Sequence, residues 1–252
     1  MKKLLLLLGV TFALLEGCSL TEPAPDEPSA RFLKPLHTYE LTVAEPSGLS
    51  LNADNTFLWT VSDQTNHVYK MTLTGQVVDT LRYEGYDLEG ITFDSARQVL
   101  WVAEEHSREL VKLDLKGNEL ERHRILEGFD NSGLEGLCID REHNFFTIKE
   151  KSPGLFLALN PDFSIKRQIE LTFDDDNSGL WADTLQNRFW ILSDQSQSFY
   201  LWSPDKGVIR QFKIPVKKPE GIAIDFQNAL TYIVSDAESK LYVFALPGES
   251  AR

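Results

Sequence analysis

From residue 36 to residue 246 the chain reads as short runs in which apolar and polar residues alternate, and no stretch carries helical spacing. The runs are rich in β-branched and aromatic residues and are separated by Gly, Asn and Asp, the composition of strands joined by tight turns. They recur in sets. A first short run at 49–51, 91–93, 137–139, 180–182 and 222–224 is followed by a second at 57–61, 99–103, 145–148, 189–192 and 230–234. A third follows at 67–73, 109–115, 155–159, 198–202 and 240–246. A fourth and more polar run, at 76–83, 119–126, 164–173 and 208–214, completes the first four sets, as an outer edge strand does.

Each set opens on a three-residue motif: Pro46-Ser47-Gly48, Leu88-Glu89-Gly90, Leu134-Glu135-Gly136, Asn177-Ser178-Gly179 and Pro219-Glu220-Gly221. The glycines are spaced 42, 46, 43 and 42 residues apart. Four residues after each glycine stands a turn former, Asn52, Asp94, Asp140, Asp183 or Asp225. An acid closes every second run: Asp63, Glu105, Glu150, Asp194 and Asp236, 14 or 15 residues after the glycine. Four antiparallel strands per period in the forties predict propeller blades. The fifth set has three runs and stops at Pro247-Gly248, while 36–43 precedes the first motif as every fourth run precedes the next. The expected fold is therefore an all-β, five-bladed β-propeller whose last blade is closed by the N-terminal strand, leaving no edge at the joint. The blades are expected at 45–86, 87–130, 131–174, 175–216, and 217–247 together with 36–43.

The N-terminus departs from this pattern. Lys2 and Lys3 precede an apolar run over 4–15, broken by Gly9 and Thr11 and too short to span a bilayer comfortably. It ends at Leu15-Glu16-Gly17-Cys18, which resembles a bacterial lipobox. The expected division is a lipoprotein signal peptide at 1–17, a lipidated Cys18 with an acidic, Pro-rich tether over 18–30, and the propeller over 31–252. A plain secretory signal with a chance cysteine is the alternative. Ser19 after the cysteine favours the outer membrane, so the expected address is the bacterial envelope, lipid-anchored and facing the periplasm.

The chain of 252 residues carries a formal charge of −13, and removing 1–17 takes away two lysines and one glutamate to leave −14. Such a protein is a poor partner for nucleic acid and a good host for cations. Apart from Cys18 there is only Cys138, so a lipidated chain forms no internal disulfide. A monomeric domain is expected.

Strands alternate in direction within a blade, which puts the start of the first and the end of the second on one face. Ser47, Glu89, Glu135, Ser178 and Glu220 should then crowd near the axis at one mouth of the channel, with Asp63, Glu105, Glu150, Asp194 and Asp236 further out on the same face. Three converging carboxylates repel one another unless protonated or joined by a cation, and calcium, which accepts several oxygen ligands, suits Glu89, Glu135 and Glu220. Alternatively those glutamates bond amides of the neighbouring blade. The outer acids read either as ligands of the face or as turn groups accepting backbone N–H bonds. The five histidines share no ligand spacing, which excludes a zinc site. Asp174-Asp175-Asp176-Asn177 lacks the spacing of an EF-hand loop and reads as a solvated acidic turn. Lys149-Glu150-Lys151 reads as a surface ion network, or as a group that neutralises or binds anions on that face. No phosphate loop, nucleophile elbow or Ser/His/Asp set occurs, and no catalytic residue is assigned.

The lipobox-led start, Glu45-Pro-Ser-Gly-Leu, Leu88-Glu-Gly-Ile, Val102-Ala-Glu-Glu, Leu134-Glu-Gly-Leu, Ile148-Lys-Glu-Lys-Ser-Pro, Asn177-Ser-Gly-Leu, Leu192-Ser-Asp-Gln-Ser and Pro219-Glu-Gly-Ile-Ala together resemble the SdiA-regulated family of bacterial lipoproteins. The resemblance covers essentially the whole globular region. It implies a five-bladed propeller, distantly related to NHL-repeat propellers, with a calcium ion. The resulting expectation is a calcium-binding envelope lipoprotein whose acidic face takes a small-molecule or protein ligand, or which serves as a scaffold in an outer-membrane assembly. By analogy with six-bladed calcium-dependent lactonases and esterases, the alternative is a calcium-dependent hydrolase of lactones or phosphoesters, with Glu105 or Glu150 as base.

Overall fold

The computed structural model describes residues 30–128, 132–183 and 186–248. The expected signal peptide, lipidated Cys18 and nearly all of the tether lie outside the described residues. Within them every element is a strand, and no helix is long and apolar enough to cross a membrane.

Two strands precede the first motif, β1 (Arg31–Phe32) and β2 (His37–Glu40). Blade one is β3 (Pro46–Leu51), β4 (Phe57–Ser62), β5 (His67–Thr72) and β6 (Val77–Glu84). Blade two is β7 (Leu88–Asp94), β8 (Val99–Glu104), β9 (Glu109–Leu113) and β10 (Glu119–Arg124). Blade three is β11 (Leu134–Ile139), β12 (Phe145–Lys149), β13 (Leu155–Leu159) and β14 (Ile165–Glu170). Blade four is β15 (Asn177–Asp183), β16 (Arg188–Ser193), β17 (Ser198–Ser203) and β18 (Gly207–Lys213). Blade five is β19 (Pro219–Asp225), β20 (Leu230–Ser235) and β21 (Lys240–Ala245), completed by β2, which pairs antiparallel with β21. The expected closure by the N-terminal segment is thus present, although the paired part is shorter than 36–43. Leu41 and Val43 leave the ladder to enter the core. β1 was not expected. It adds a short parallel strand to the outer edge of blade four, with Arg31 opposite Phe212.

The core is a ring of five apolar clusters, one between each pair of blades. Trp59, Val61 and Val68 meet Ile91, Leu100 and Val102 between blades one and two, and Leu41, Leu58 and Met71 meet Val234 and Val243 between blades five and one. Each blade thus buries its apolar faces against two neighbours, which no blade could do alone.

The inner strands β3, β7, β11, β15 and β19 follow one another round the axis, and β19 returns to β3. The motif glycines are what lets them approach. A Cβ on Gly48 would lie 2.5 Å from the carbonyl oxygen of Glu89, one on Gly90 2.2 Å from that of Glu135, and one on Gly221 2.4 Å from that of Ser47. The sequence pattern placed each first strand after its glycine. In the structure each begins two residues before its glycine, and the ladder register shifts across the motif in every blade. Such a bulge interrupts the alternation of side chains and re-aims the residue within it. Two positions beyond the glycines stand Ser50, Thr92, Cys138 and Ala223, but Trp181 in blade four. That single large ring packs against both clusters that adjoin blade five and lines the opposite mouth.

Candidate cation-binding mouth

The motif residues and the acids after the second strands meet at one mouth, as strand direction predicts. A cavity of about 330 Å³ there is lined by Ser47, Glu89, Glu135 and Glu220 from the inner strands and by Asp63, Glu105, Glu150, Asp194 and Asp236 from the second-strand ends. Ser178 turns its hydroxyl instead to the carbonyl of Pro219 at 2.7 Å.

Four further residues complete the lining: Asp87, Asp176, Lys218 and Lys151. The first three share one register, the residue immediately before each motif, a column that runs Glu45, Asp87, Gly133, Asp176, Lys218. The column shares the period of the motifs, but its residues differ in chemistry from blade to blade. The backbone shows why this column belongs to the site. The carbonyl of Asp87 accepts the Glu105 N–H at 2.9 Å, that of Gly133 the Glu150 N–H at 3.2 Å, and that of Lys218 the Asp236 N–H at 3.0 Å. In blades two, three and five the pre-motif residue is therefore tied to the outer acid of its own blade. Asp176 also corrects the reading of 174–176 as a solvated turn. Asp174 does bond outward, accepting the Tyr200 hydroxyl at 2.7 Å, but Asp176 faces the mouth.

In blades one, four and five the turn role considered for the outer acids falls instead to the residue before them. Ser62 Oγ accepts the Thr65 N–H, Ser193 Oγ the Ser196 N–H and Ser235 Oγ the Glu238 N–H. Among the outer acids of the described residues, Glu105 alone accepts a backbone amide through its side chain, from Gly133 at 2.9 Å. With these three turns capped by serine, Asp63, Asp194 and Asp236 are left to the mouth. On the opposite face the expected turn formers behave as read: Asp94, Asp140 and Asp225 each accept two turn amides.

Ten carboxylates and two lysines line the mouth. Burial raises Glu89, Glu135 and Glu220 well above the ordinary carboxylate range, with Glu220 and Asp63 adding to Glu89, and Glu89 and Glu220 adding to Glu135. Burial takes Glu150 up to about 7 against the pull of Lys151, and takes Asp63 up to about 6 with help from Asp236. Glu105 and Asp194 rise for the same first reason.

The lysines sit unevenly. Lys218 bonds Asp236 and lies 3.9 Å from Glu220, so the sector of blade five holds a cation of its own. Burial pulls Lys218 down, but these partners outweigh it and hold it above the ordinary lysine value. Lys151 bonds Glu150. Lys149 is buried beneath, donating to Ser132 Oγ at 2.8 Å, and takes no part in the lining. Of the ion network read at 149–151, only the Glu150–Lys151 half reaches the mouth.

Two trios of carboxylates each place one oxygen per residue within 4.8 Å of the others: Asp87, Glu89 and Glu105, and Glu105, Glu135 and Glu150. The three inner glutamates are thus not one cluster. Glu89 and Glu135 stand in separate trios joined through Glu105, and Glu220 stands with Lys218. The donors are all carboxylate oxygens, with neither imidazole nor thiolate in the lining, the set that hard divalent cations such as calcium take. Cys138 is a free, buried thiol on the far side of the ring.

The fold and the motif columns define a five-bladed β-propeller with an acidic mouth, and the model of the SdiA-regulated family matches residues 34–245. The chain belongs to that family. Among solved structures it is similar to virginiamycin B lyase from Staphylococcus aureus, a catalytically inactive H270A form with quinupristin, at 14% identity and a TM-score of 0.52 over 80% of this chain and 66% of that one. A protein of unknown function from Bacteroides caccae matches at 12% identity and a TM-score of 0.51, over 71% of this chain and 64% of that one. This chain spans just under two thirds of the length of each. At such identities the likeness is one of fold.

Proposed function

We propose that this protein is an envelope-anchored, calcium-binding propeller that takes a small-molecule or protein ligand at its acidic mouth. One observation carries the reading. Glu135 is only 8% exposed, lines the mouth, sits in one of the two trios, and has no hydrogen-bond donor in the described structure. A carboxylate held so deep without a partner is costly unless protonated or bound to a cation. Glu89, Glu105, Glu135 and Glu150, with Asp87, would hold the ion, and its charge would offset their repulsion. Lys218 already neutralises the sector of Glu220, which leaves Glu220 outside the ion's nearest ligands. A cavity of about 330 Å³ is larger than an ion requires, and the remaining room favours a ligand bound beside it. Lipidation at Cys18 would tether the propeller to the outer membrane on its periplasmic side, and the Pro-rich segment would let it stand clear of the surface.

Calcium added to protein stripped with EDTA should bind in titration calorimetry and raise the melting temperature by about 5–10 °C at a hundredfold excess over Kd. No heat and no shift would remove the calcium reading. Lactone, aryl-ester and phosphodiester substrates belong in the same experiment. Calcium-dependent turnover, lost in Glu105→Gln, would make the protein a hydrolase rather than a binding module.

A further inference from the structure

We infer that the cleft between blades three and four, on the face opposite the acidic mouth, binds a small aromatic carboxylate, its ring seated on Phe146 and its charge facing Arg141 and Lys166. The cleft shares no lining residue with the acidic mouth and does not rest on the cation-binding reading above.

The five blades supply their own comparison. Four residues before each outer acid, the second strand carries Trp59, Trp101, Phe146, Trp190 or Tyr232. Each ring joins the apolar cluster between its own blade and the next. Its partner across the ladder, on the third strand, is Lys70, Lys112, Ala158, Leu201 or Val243. In blades one and two the lysine lies over the indole, with Nζ 5.6 Å and 5.5 Å from the ring centre. In blades four and five Leu201 and Val243 are buried beside the ring. Blade three alone pairs a smaller ring with a single methyl group. Trp59, Trp101, Trp190 and Tyr232 are accordingly buried, whereas Phe146 and Ala158 are only partly so. Where the other blades place side chains, blade three leaves a cleft of about 500 Å³. That is the size of a small-molecule site.

The floor is aromatic. Phe146 and Phe156 both meet Phe189 of blade four edge to face, at 4.8 and 4.7 Å between ring centres. A further ring laid on Phe146 would extend this packing and cover apolar surface that the fold leaves open. The rim is cationic. Arg188 pairs with Asp183, and Arg167 donates to the carbonyl of Pro204 at 3.2 Å. Arg141 and Lys166 are exposed, line the cleft, and hold no side-chain hydrogen bond or ion pair among the described residues. Asp140 accepts the amides of Glu142 and Asn144, which leaves Glu142 as the one uncommitted acid of the lining. A chain of charge −13 repels anions in general, so two uncommitted cations above an aromatic floor mark the place where an anion is received.

The test uses the full chain and 1-naphthylacetate as the probe. Titration calorimetry should give one site per chain with a Kd on the order of 0.1 mM, the same in calcium as in EDTA. 1-Naphthylmethylamine, with the same rings and the opposite charge, should bind at least roughly tenfold more weakly. Ala158→Leu gives blade three the residue that blade four carries at this place. It should weaken the acid by roughly tenfold or more and leave the melting temperature no lower. Lys166→Glu should weaken it about threefold or more, whereas Lys116→Glu, the same charge change in the turn between β9 and β10, should not. Equal binding of the amine, undiminished binding by a folded Ala158→Leu, or no heat from the acid at about 2 mM overturns the site. Where Ala158→Leu fails to fold, the acid and amine on the wild-type chain and the two lysine variants decide the matter. A loss of binding in EDTA would place the probe at the acidic mouth and likewise overturn the cleft.

Discussion

At the scale of single residues, the mouth is a case of burial working against charge. Glu135 and Glu89 rise in pKa because they are buried and face other carboxylates, and at Glu89 the bond from Ser47 offsets only part of the rise. Asp63, at about 6, and Glu150, at about 7, follow for the same reason. A carboxylate raised in the folded state binds more protons there than in the unfolded chain at intermediate pH, so stability falls as pH rises. In EDTA, melting temperature should therefore be highest near pH 5 and decline through pH 7, and calcium should restore it most at the upper end. A profile flat over that window would contradict the burial of these groups. Glu135→Gln removes one of the repelling charges. It should raise the melting temperature of the metal-free protein at pH 7.5 by about 2–4 °C and weaken calcium by roughly tenfold, measured by thermal unfolding and calorimetry. A lowered melting temperature without metal would show that Glu135 has a structural partner after all.

At the scale of the strand, the motif joins two demands. Its glycine is needed because the next blade's backbone passes where a Cβ would sit, and its middle residue is turned to the axis by the register shift. Gly90→Ala should destabilise by about 3 kcal/mol or more in denaturant unfolding, because backbone on the facing strand cannot move aside cheaply. Gly207→Ala tests the other kind of glycine. It has open space around it but a φ of +69°, and should cost only about 1–2 kcal/mol. Equal costs would mean that the inner ring is looser than the contact distances imply. The serines before the outer acids show the same economy of position, since Ser62, Ser193 and Ser235 cap the turns and free Asp63, Asp194 and Asp236 to face the mouth.

At the scale of the molecule, the ring closes through a strand from the other end of the chain. β2 covers the edge of β21, and Leu41 and Val43 behind it fill the cluster between blades five and one. A chain begun at residue 44 should lose cooperative unfolding near 37 °C and elute as aggregate, because the uncovered edge pairs with other copies. Removing only residues 1–30 should leave both the melt and the calcium response intact. An unchanged melt in the shorter chain would show that the ring does not depend on this closure.

The alternating runs, the glycine period, the incomplete fifth set and the strand before the first motif determined the all-β propeller, the blade number and the closure. These are short-range periodicities repeated five times, and repetition averages out local noise. Strand direction then placed both acid columns on one face. The pre-motif column was legible in the same way, as Asp87, Asp176 and Lys218 share the motif's period, but its varied chemistry hid it. Tertiary structure alone decided which acids meet. Glu105 lies between Glu89 and Glu135 because neighbouring blades bring their strand ends together across the ring, whereas Lys218, two residues before Glu220, stands beside it already in the sequence. Distances between blades depend on how tightly the glycine-lined inner strands pack, and no pattern along a single chain records that.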